Sequence, residues 1–201
     1  MDLSFIVPLI LLGLVLLGYD LYVNIISKRN KAREALSSID AHLQQRADLI
    51  PNILRAAQRY LSHEQDLLSE ITALRSQMSK DYDRTNASEV KEHLGIAEQL
   101  GAKLGQLRVQ IENYPDLKGD KPIMDAMDTM EEVEAQITAA RRFYNAAVTD
   151  LNNMVEVFPV NQIAAMAGVK SMPYFEASDS ARAPVNADDY LNPQRADTST
   201  S

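Results

Sequence analysis

The chain reads as all-α, with a single N-terminal transmembrane helix continuing into a long antiparallel helical bundle and a disordered C-terminal tail. Three observations predict this. Leu3 to Ile26 form an apolar stretch whose only charge is Asp20. From Lys31 to Val157 the composition is dominated by Ala, Leu, Gln, Glu, Asp, Lys and Arg, with few glycines, prolines or aromatics, which favours helix over strand. Over the same region apolar residues recur at steps of three and four, the spacing of one helix face.

The first element is the anchor, expected over residues 1–26. At ~1.5 Å rise per residue, ~20 apolar residues cross a ~30 Å hydrocarbon core, and Ser4 to Val23 is about that long. Pro8 is tolerable near the start of a spanning helix, and Tyr19 and Tyr22 sit where aromatic belts form. A cleaved signal peptide fits less well, because such peptides begin with cations and end at small residues, whereas Asp2 stands in front here and Gly18-Tyr19-Asp20 is a poor cleavage site. A buried core helix is disfavoured by the all-round apolarity of Phe5 to Leu17. Four cations, Lys28, Arg29, Lys31 and Arg33, follow the span and none precedes it. Lysine and arginine beside a span are retained on the cytoplasmic side, so the expected topology is single-pass in the cell membrane, N-terminus outside and bundle cytoplasmic.

The remaining ~175 residues are enough for one domain and a tail. The net charge of −8 and the scattering of basic residues beyond the neck argue against nucleic acid as a partner. The neck itself can rest on anionic headgroups at about 1 kcal/mol per cation. With no cysteine, disulfides and thiolate metal sites are excluded.

The bundle is expected over residues 27–177. A stripe runs from Ala32 through Leu36, Ile39, Leu43, Arg46, Ile50, Ile53, Ala57, Tyr60, Glu64, Leu67, Ile71 and Leu74 to Met78. Pro51 interrupts it, since a proline inside a helix removes one hydrogen bond and clashes with the preceding turn. Either the rod kinks there, giving three long helices, or Asp48 caps a new helix and there are four. The stripe keeps phase through Ile50 and Ile53 and no glycine supplies a reversal, which favours a kinked continuous rod. The polar run Lys80 to Ser88 ends it. A second helix, roughly Glu89 to Asn113, shows Val90, Leu94, Ala97, Leu100, Leu104, Leu107 and Ile111 at helical spacing, and Asn113 to Pro122 reads as a turn. The third long helix carries Ile123, Met127, Met130, Glu134, Ile137, Arg141, Tyr144, Val148, Leu151, Val155 and Phe158. A short apolar piece, Val160 to Val169, and Pro173-Tyr174-Phe175 precede a tail over 178–201 that is poor in large apolar residues and expected to be disordered.

Arg46, Glu64, Glu134 and Arg141 fall on faces that otherwise point at other helices. Either their long side chains snorkel from the bundle edge, or they pair across helices and set register; a catalytic or metal role is the least supported alternative. Enzyme signatures are thin. The three histidines, His42, His63 and His93, complete no Glu-x-x-His pair, and Leu67 stands where His63-Glu64 would need a second zinc-binding histidine. No phosphate loop, nucleophile elbow or dinucleotide fingerprint occurs. The sequence therefore nominates no catalytic, cofactor-binding or metal-ligating residue.

Three blocks nevertheless carry a resemblance. The first comprises Arg29-Asn30, Glu34-Ala35, Ile39-Asp40, Arg46, Asp48-Leu49-Ile50-Pro51-Asn52, Tyr60 and His63-Glu64. The second is Glu112 to Lys118, and the third takes in Ala140-Arg141-Arg142, Tyr144-Asn145, Asn152, Phe158-Pro159, Asn161 to Ala164 and Tyr174-Phe175-Glu176. In order and spacing the chain resembles the LemA family of bacterial membrane-anchored helical proteins. It departs at Leu36, where the family usually has tryptophan, at Ala135-Gln136, where it has an Asn-Arg pair, and in the less aromatic stretch Met166 to Val169. The resemblance implies a single-pass membrane protein with a body of the four-helix kind and no established enzymatic activity.

The expected function is a non-enzymatic scaffold or interaction protein that self-associates, possessing coiled-coil-like seams, or docks other membrane proteins at the bilayer surface. Gly13 and Gly18 are not at the four-residue spacing of a tight helix pair, so association is expected from the body. The alternative is a membrane-remodelling or envelope-stress protein whose neck and Val160 to Val169 piece touch lipid. A metal or cofactor enzyme in the bundle core comes third.

Overall fold

The computed structural model of the protein describes residues 3–58, 60–61, 64–114 and 120–176, with side chains described from Ile6 onward. The tail expected from residue 178, the Pro115 to Gly119 turn and His63 lie outside the described residues. Among those described there are five helices and no strand: α1 Leu3–Ala57, α2 Gln65–Met78, α3 Ala87–Asn113, α4 Lys121–Glu156 and α5 Val160–Met166.

α1 passes through Pro51 without ending. Proline has no N–H to give to the carbonyl four residues back, so the Ala47 oxygen is left over. Arg75 of α2 supplies the missing donor, its Nε standing 2.8 Å from that oxygen. The rod favoured by the sequence thus continues at Pro51, but it ends at Ala57 rather than at Met78, where the stripe runs out. Tyr60 and Leu61 both donate to the Ala57 carbonyl as the helix ends, and a separate α2 begins at Gln65. The buried face shifts by one residue across the turn. Leu61 and Leu68 are buried, whereas Tyr60 is exposed and Leu67 only partly covered.

α3 also starts earlier than Glu89. Asn86 is its N-cap, accepting from the Ser88 N–H at 3.0 Å, and Glu89 reaches back to the Asp83 N–H at 2.7 Å and to the Asn86 side chain at 2.8 Å. Glu89 thus ties the first turn of α3 back to the loop that precedes it.

α1 packs chiefly on α4, and α2 on α3. Cross-helix bonds join Lys28 to Asp150 and Arg46 to Glu134, so the partner number on α4 falls as the number on α1 rises. Along α4 the buried residues Met130, Val133, Ile137, Ala140, Tyr144, Ala147 and Leu151 alternate steps of three and four. On α1 the matching seam is Ala32, Leu36, Ile39, Leu43, Arg46, Ile50, Ile53 and Ala57. That 3.5-residue period is the one that keeps two helices in register along their length.

Only the distal part of α1 takes part in this core. From Val7 to Val23 its large apolar side chains other than Leu21 are exposed, Leu9 at 65 % and Val15 at 67 %. So much continuous apolar surface is far beyond what a soluble monomer presents to water. This one N-terminal helix is long and apolar enough to cross a membrane. Ile25, by contrast, is fully buried, so the helix enters the core within a few residues of leaving the apolar stretch.

Candidate functional site

Asp40, on the shoulder of the α1 seam and largely covered, gathers the polar groups of the α2–α3 connection. It accepts from the Tyr82 hydroxyl at 2.9 Å and from Arg84 Nε at 2.7 Å. His93 Nε2 of α3 lies 3.4 Å from Asp40 Oδ1, the oxygen that also accepts from Tyr82. The Tyr82 and His93 rings stack with centroids 4.0 Å apart, and the Arg84 guanidinium lies over the Tyr82 ring. Burial, and then the Asp40 charge beside it, raises the Tyr82 phenol well above its usual value, only partly opposed by Arg84. The phenol therefore stays protonated as a donor. Both Asp40 oxygens already accept, so the cluster acts as a latch holding the connection on α1. It borders a cleft of about 550 Å³ that Ser37, Gln44 and Lys80 also line.

Six residues along α1, Arg46 is 2 % exposed. Its two terminal nitrogens donate to Glu134 Oε1 at 3.0 Å and to the Ala97 carbonyl at 2.7 Å, tying three helices together. Gly101 makes room for it, because a Cβ there would stand 3.2 Å from Arg46 Nη1. Of the four charges on the stripes, Arg46 and Glu134 are thus brought together across helices. Arg141 lies with its guanidinium 5.7 Å from the Phe175 ring centroid, and Glu64 ends up at the start of α2 without a side-chain cap bond. His42 is half-buried, and His93 is buried in the latch. Among the described residues no group of three or more His, Asp or Glu is gathered to hold a metal.

A third constellation binds the chain's own extended segment. Asn152 donates to the Met172 carbonyl and accepts from the Met172 N–H, at 3.0 and 2.9 Å. Asn145 does the same with Phe175, both at 2.9 Å. Between them the Tyr144 hydroxyl donates to the Pro173 carbonyl at 2.7 Å. The match is geometric: seven helical residues rise ~10.5 Å, and three extended residues span ~10 Å. Burial lifts the Tyr144 phenol above its usual value, with the Asp40 charge adding to it.

Neither the latch nor the strap was singled out as a site by sequence reasoning. Signals for both were present, since Asp40, Tyr144, Asn145, Asn152 and Tyr174-Phe175 all lie in the blocks that carry the resemblance. Tyr82 and Arg84 fall in the polar run that reads only as a helix break.

The chain is 29 % identical over 165 residues to Protein LemA of Metamycoplasma hominis, covering 82 % of this chain and 73 % of that protein. It is 29 % identical over 92 residues to Magnetosome protein MamQ 2 of Paramagnetospirillum magneticum, a match spanning 46 % of this chain and 34 % of the relative's own length. Magnetosome protein MamQ of Magnetospirillum gryphiswaldense is similar over the same share, at 25 % identity. The LemA family model matches residues 35–188, from the α1 seam through the latch, the Arg46 pair and the strap. The chain belongs to the LemA family.

Proposed function

We propose that the protein is a non-enzymatic helical scaffold, fixed in the cell membrane by residues 1–26 and presenting an antiparallel bundle, residues 27–177, that self-associates or docks partner proteins at the membrane surface. The four neck cations favour a cytoplasmic bundle with the N-terminus outside. The observation that carries this reading is the unbroken α1, which runs from the apolar stretch into the core with Ile25 already buried and Lys28 pinned to Asp150 at 2.7 Å. A bundle joined to its anchor this way is oriented by the membrane as well as held to it. Its buried polar residues Arg46, His93 and Asn152 belong to the cross-helix pair, the latch and the segment over Met172–Phe175.

Crosslinking in native membranes, then purification and sizing in nanodiscs, is the direct test. Oligomers or a stoichiometric partner are expected, and a strict monomer with nothing bound would remove the scaffold reading. Protease protection on sealed vesicles tests the topology, because cleavage of the bundle from the outer face alone would reverse it.

A second reading, lipid remodelling, draws support from the α4–α5 corner, where Val157, Phe158 and Met166 are exposed, Phe158 at 76 %. Full-length protein reconstituted into anionic vesicles would change their size or shape under this reading and leave them unchanged under the first.

A further inference from the structure

The four neck cations divide between two faces of α1. Lys28 pairs with Asp150, and Lys31 lies 5.8 Å from the Phe143 ring centroid, so both are turned to α4. Arg29 and Arg33, one turn apart, line the opposite side, where a cleft of about 330 Å³ is closed by Thr85 and the Gly168–Met172 segment, with Lys170 as a third cation. No carboxylate lines this cleft. Arg29 Nε is buried without a hydrogen-bond partner, and among the described residues no hydrogen bond or ion pair engages Arg33 or Lys170. Asp83, which feels the Arg33 charge, is already taken up by the Thr85 N–H at 2.8 Å and hydroxyl at 2.7 Å. Three gathered cations repel one another, and two at i, i+4 on one helix already disfavour it by a few tenths of a kcal/mol.

Height is the second observation. If the apolar span ends near Val23, Arg29 stands ~9 Å and Arg33 ~15 Å further along the helix, at and just above the headgroup layer. The bundle reaches down that far. Lys28 and Asp150 share one level, and six residues on, Glu156 at the end of α4 comes level with Tyr22 on the antiparallel α1. Gly18 and Leu21, on the same helix face as the buried Ile25, are already partly covered. Gly168 shapes the cleft's far wall, its φ of +64° turning the chain out of α5 so that Lys170 returns towards α1.

We propose that Arg29, Arg33 and Lys170 form a binding site for a phosphate-bearing anion, which their position beside the bilayer would fill with the headgroup of an acidic phospholipid. Guanidinium forks suit phosphate oxygens, and Thr85 and Ser171 bring hydroxyls to the same cleft. The lipid source rests on the anchor reading given above; the anion chemistry does not.

The test uses the full-length chain in nanodiscs of phosphatidylcholine alone and of an equimolar mixture with phosphatidylglycerol, comparing unfolding midpoints. Millimolar inorganic phosphate added to the neutral discs is a third arm. Binding to the folded state raises the midpoint, by about 5 °C for a saturated site. Lys170→Gln and Arg33→Gln should each lose at least half of the rise, whereas Lys31→Gln, at the same height on the other face, should keep it. A rise with phosphatidylglycerol alone identifies the lipid, and an equal rise with inorganic phosphate identifies a soluble anion; either supports the site. No rise in any arm overturns it, as does equal loss in Lys31→Gln and Lys170→Gln, which marks diffuse surface attraction. Failure of the chain to co-elute with the discs would remove the anchor reading alone, leaving the phosphate arm to decide the site.

Discussion

At the residue scale, the clearest lesson is that Pro51 and Arg75 form one device. The proline leaves the Ala47 carbonyl free and the guanidinium takes it at 2.8 Å. Arg75→Met should therefore cost ~1–2 kcal/mol by stranding a half-buried acceptor. In a Pro51→Ala background the helix supplies its own donor, and the same change should cost less than half as much; chemical denaturation of the four variants measures the coupling. Equal cost in both backgrounds would separate the two residues. The strap offers a second test. Asn152→Asp keeps an acceptor for the Met172 N–H but loses the donor to its carbonyl, while Asn152→Ala loses both. Proteolysis within 169–176 should rise in the order wild type, Asp, Ala, with the alanine variant destabilised by ~2 kcal/mol as two hydrogen bonds are lost. Pro51 was legible in the sequence as a problem, but its solution was not, because Arg75 lies 24 positions away and periodicity is silent on cross-helix donors.

At the scale of elements, the seams were legible and one boundary was not. The stripe from Ala32 to Met78 keeps its sequence period through residues 57–64, where there is neither glycine nor proline, so nothing local announces the turn. The chain reverses there because two shorter helices bury Leu61, Leu68 and Ile71, which a straight rod would hold away from α3. The Arg46–Glu134 pair then reports on register. Glu134→Gln leaves a buried guanidinium without its counter-charge and should cost ~2 kcal/mol, less than the ~3–5 of a fully buried pair because Glu134 is 39 % exposed. Replacing both, Arg46→Met with Glu134→Leu, should recover much of that stability in thermal melts. If the double replacement also leaves oligomeric size unchanged, the pair has no part in register. The latch predicts a pH response. Tyr82 and Tyr144 keep their protons to higher pH in the folded chain than the ordinary 10.0, so the stability they contribute is complete below pH 10 and falls as pH rises above it. Tyr82→Phe should flatten that alkaline decline relative to wild type, and an unchanged slope would place the titration elsewhere.

At the scale of the whole molecule, orientation follows from continuity. α1 is one helix of 55 residues, and its burial begins at Ile25, so the apolar part and the bundle move as one body. Two glycines inserted after Ile26 should break that coupling. Spin labels at Leu11→Cys and Gln106→Cys, in a chain that has no cysteine of its own, should give a narrow distance distribution in the parent and a broad one in the insertion variant. Equal widths would mean that the anchor and bundle are already loosely joined.

The sequence by itself determined the all-α class, the long apolar N-terminal helix, the seam residues and the family, because each is written in composition, in period or in ordered local blocks. What only the tertiary structure decided are the break between Ala57 and Gln65, the partners of Asp40, Arg46 and Ala47, the asparagine grip on the Met172–Phe175 segment, and the division of neck cations between two faces. All of these join residues distant in sequence. A helix's period tells which face will be buried, but which groups meet on that face depends on where neighbouring helices stop, and that is set by packing them together.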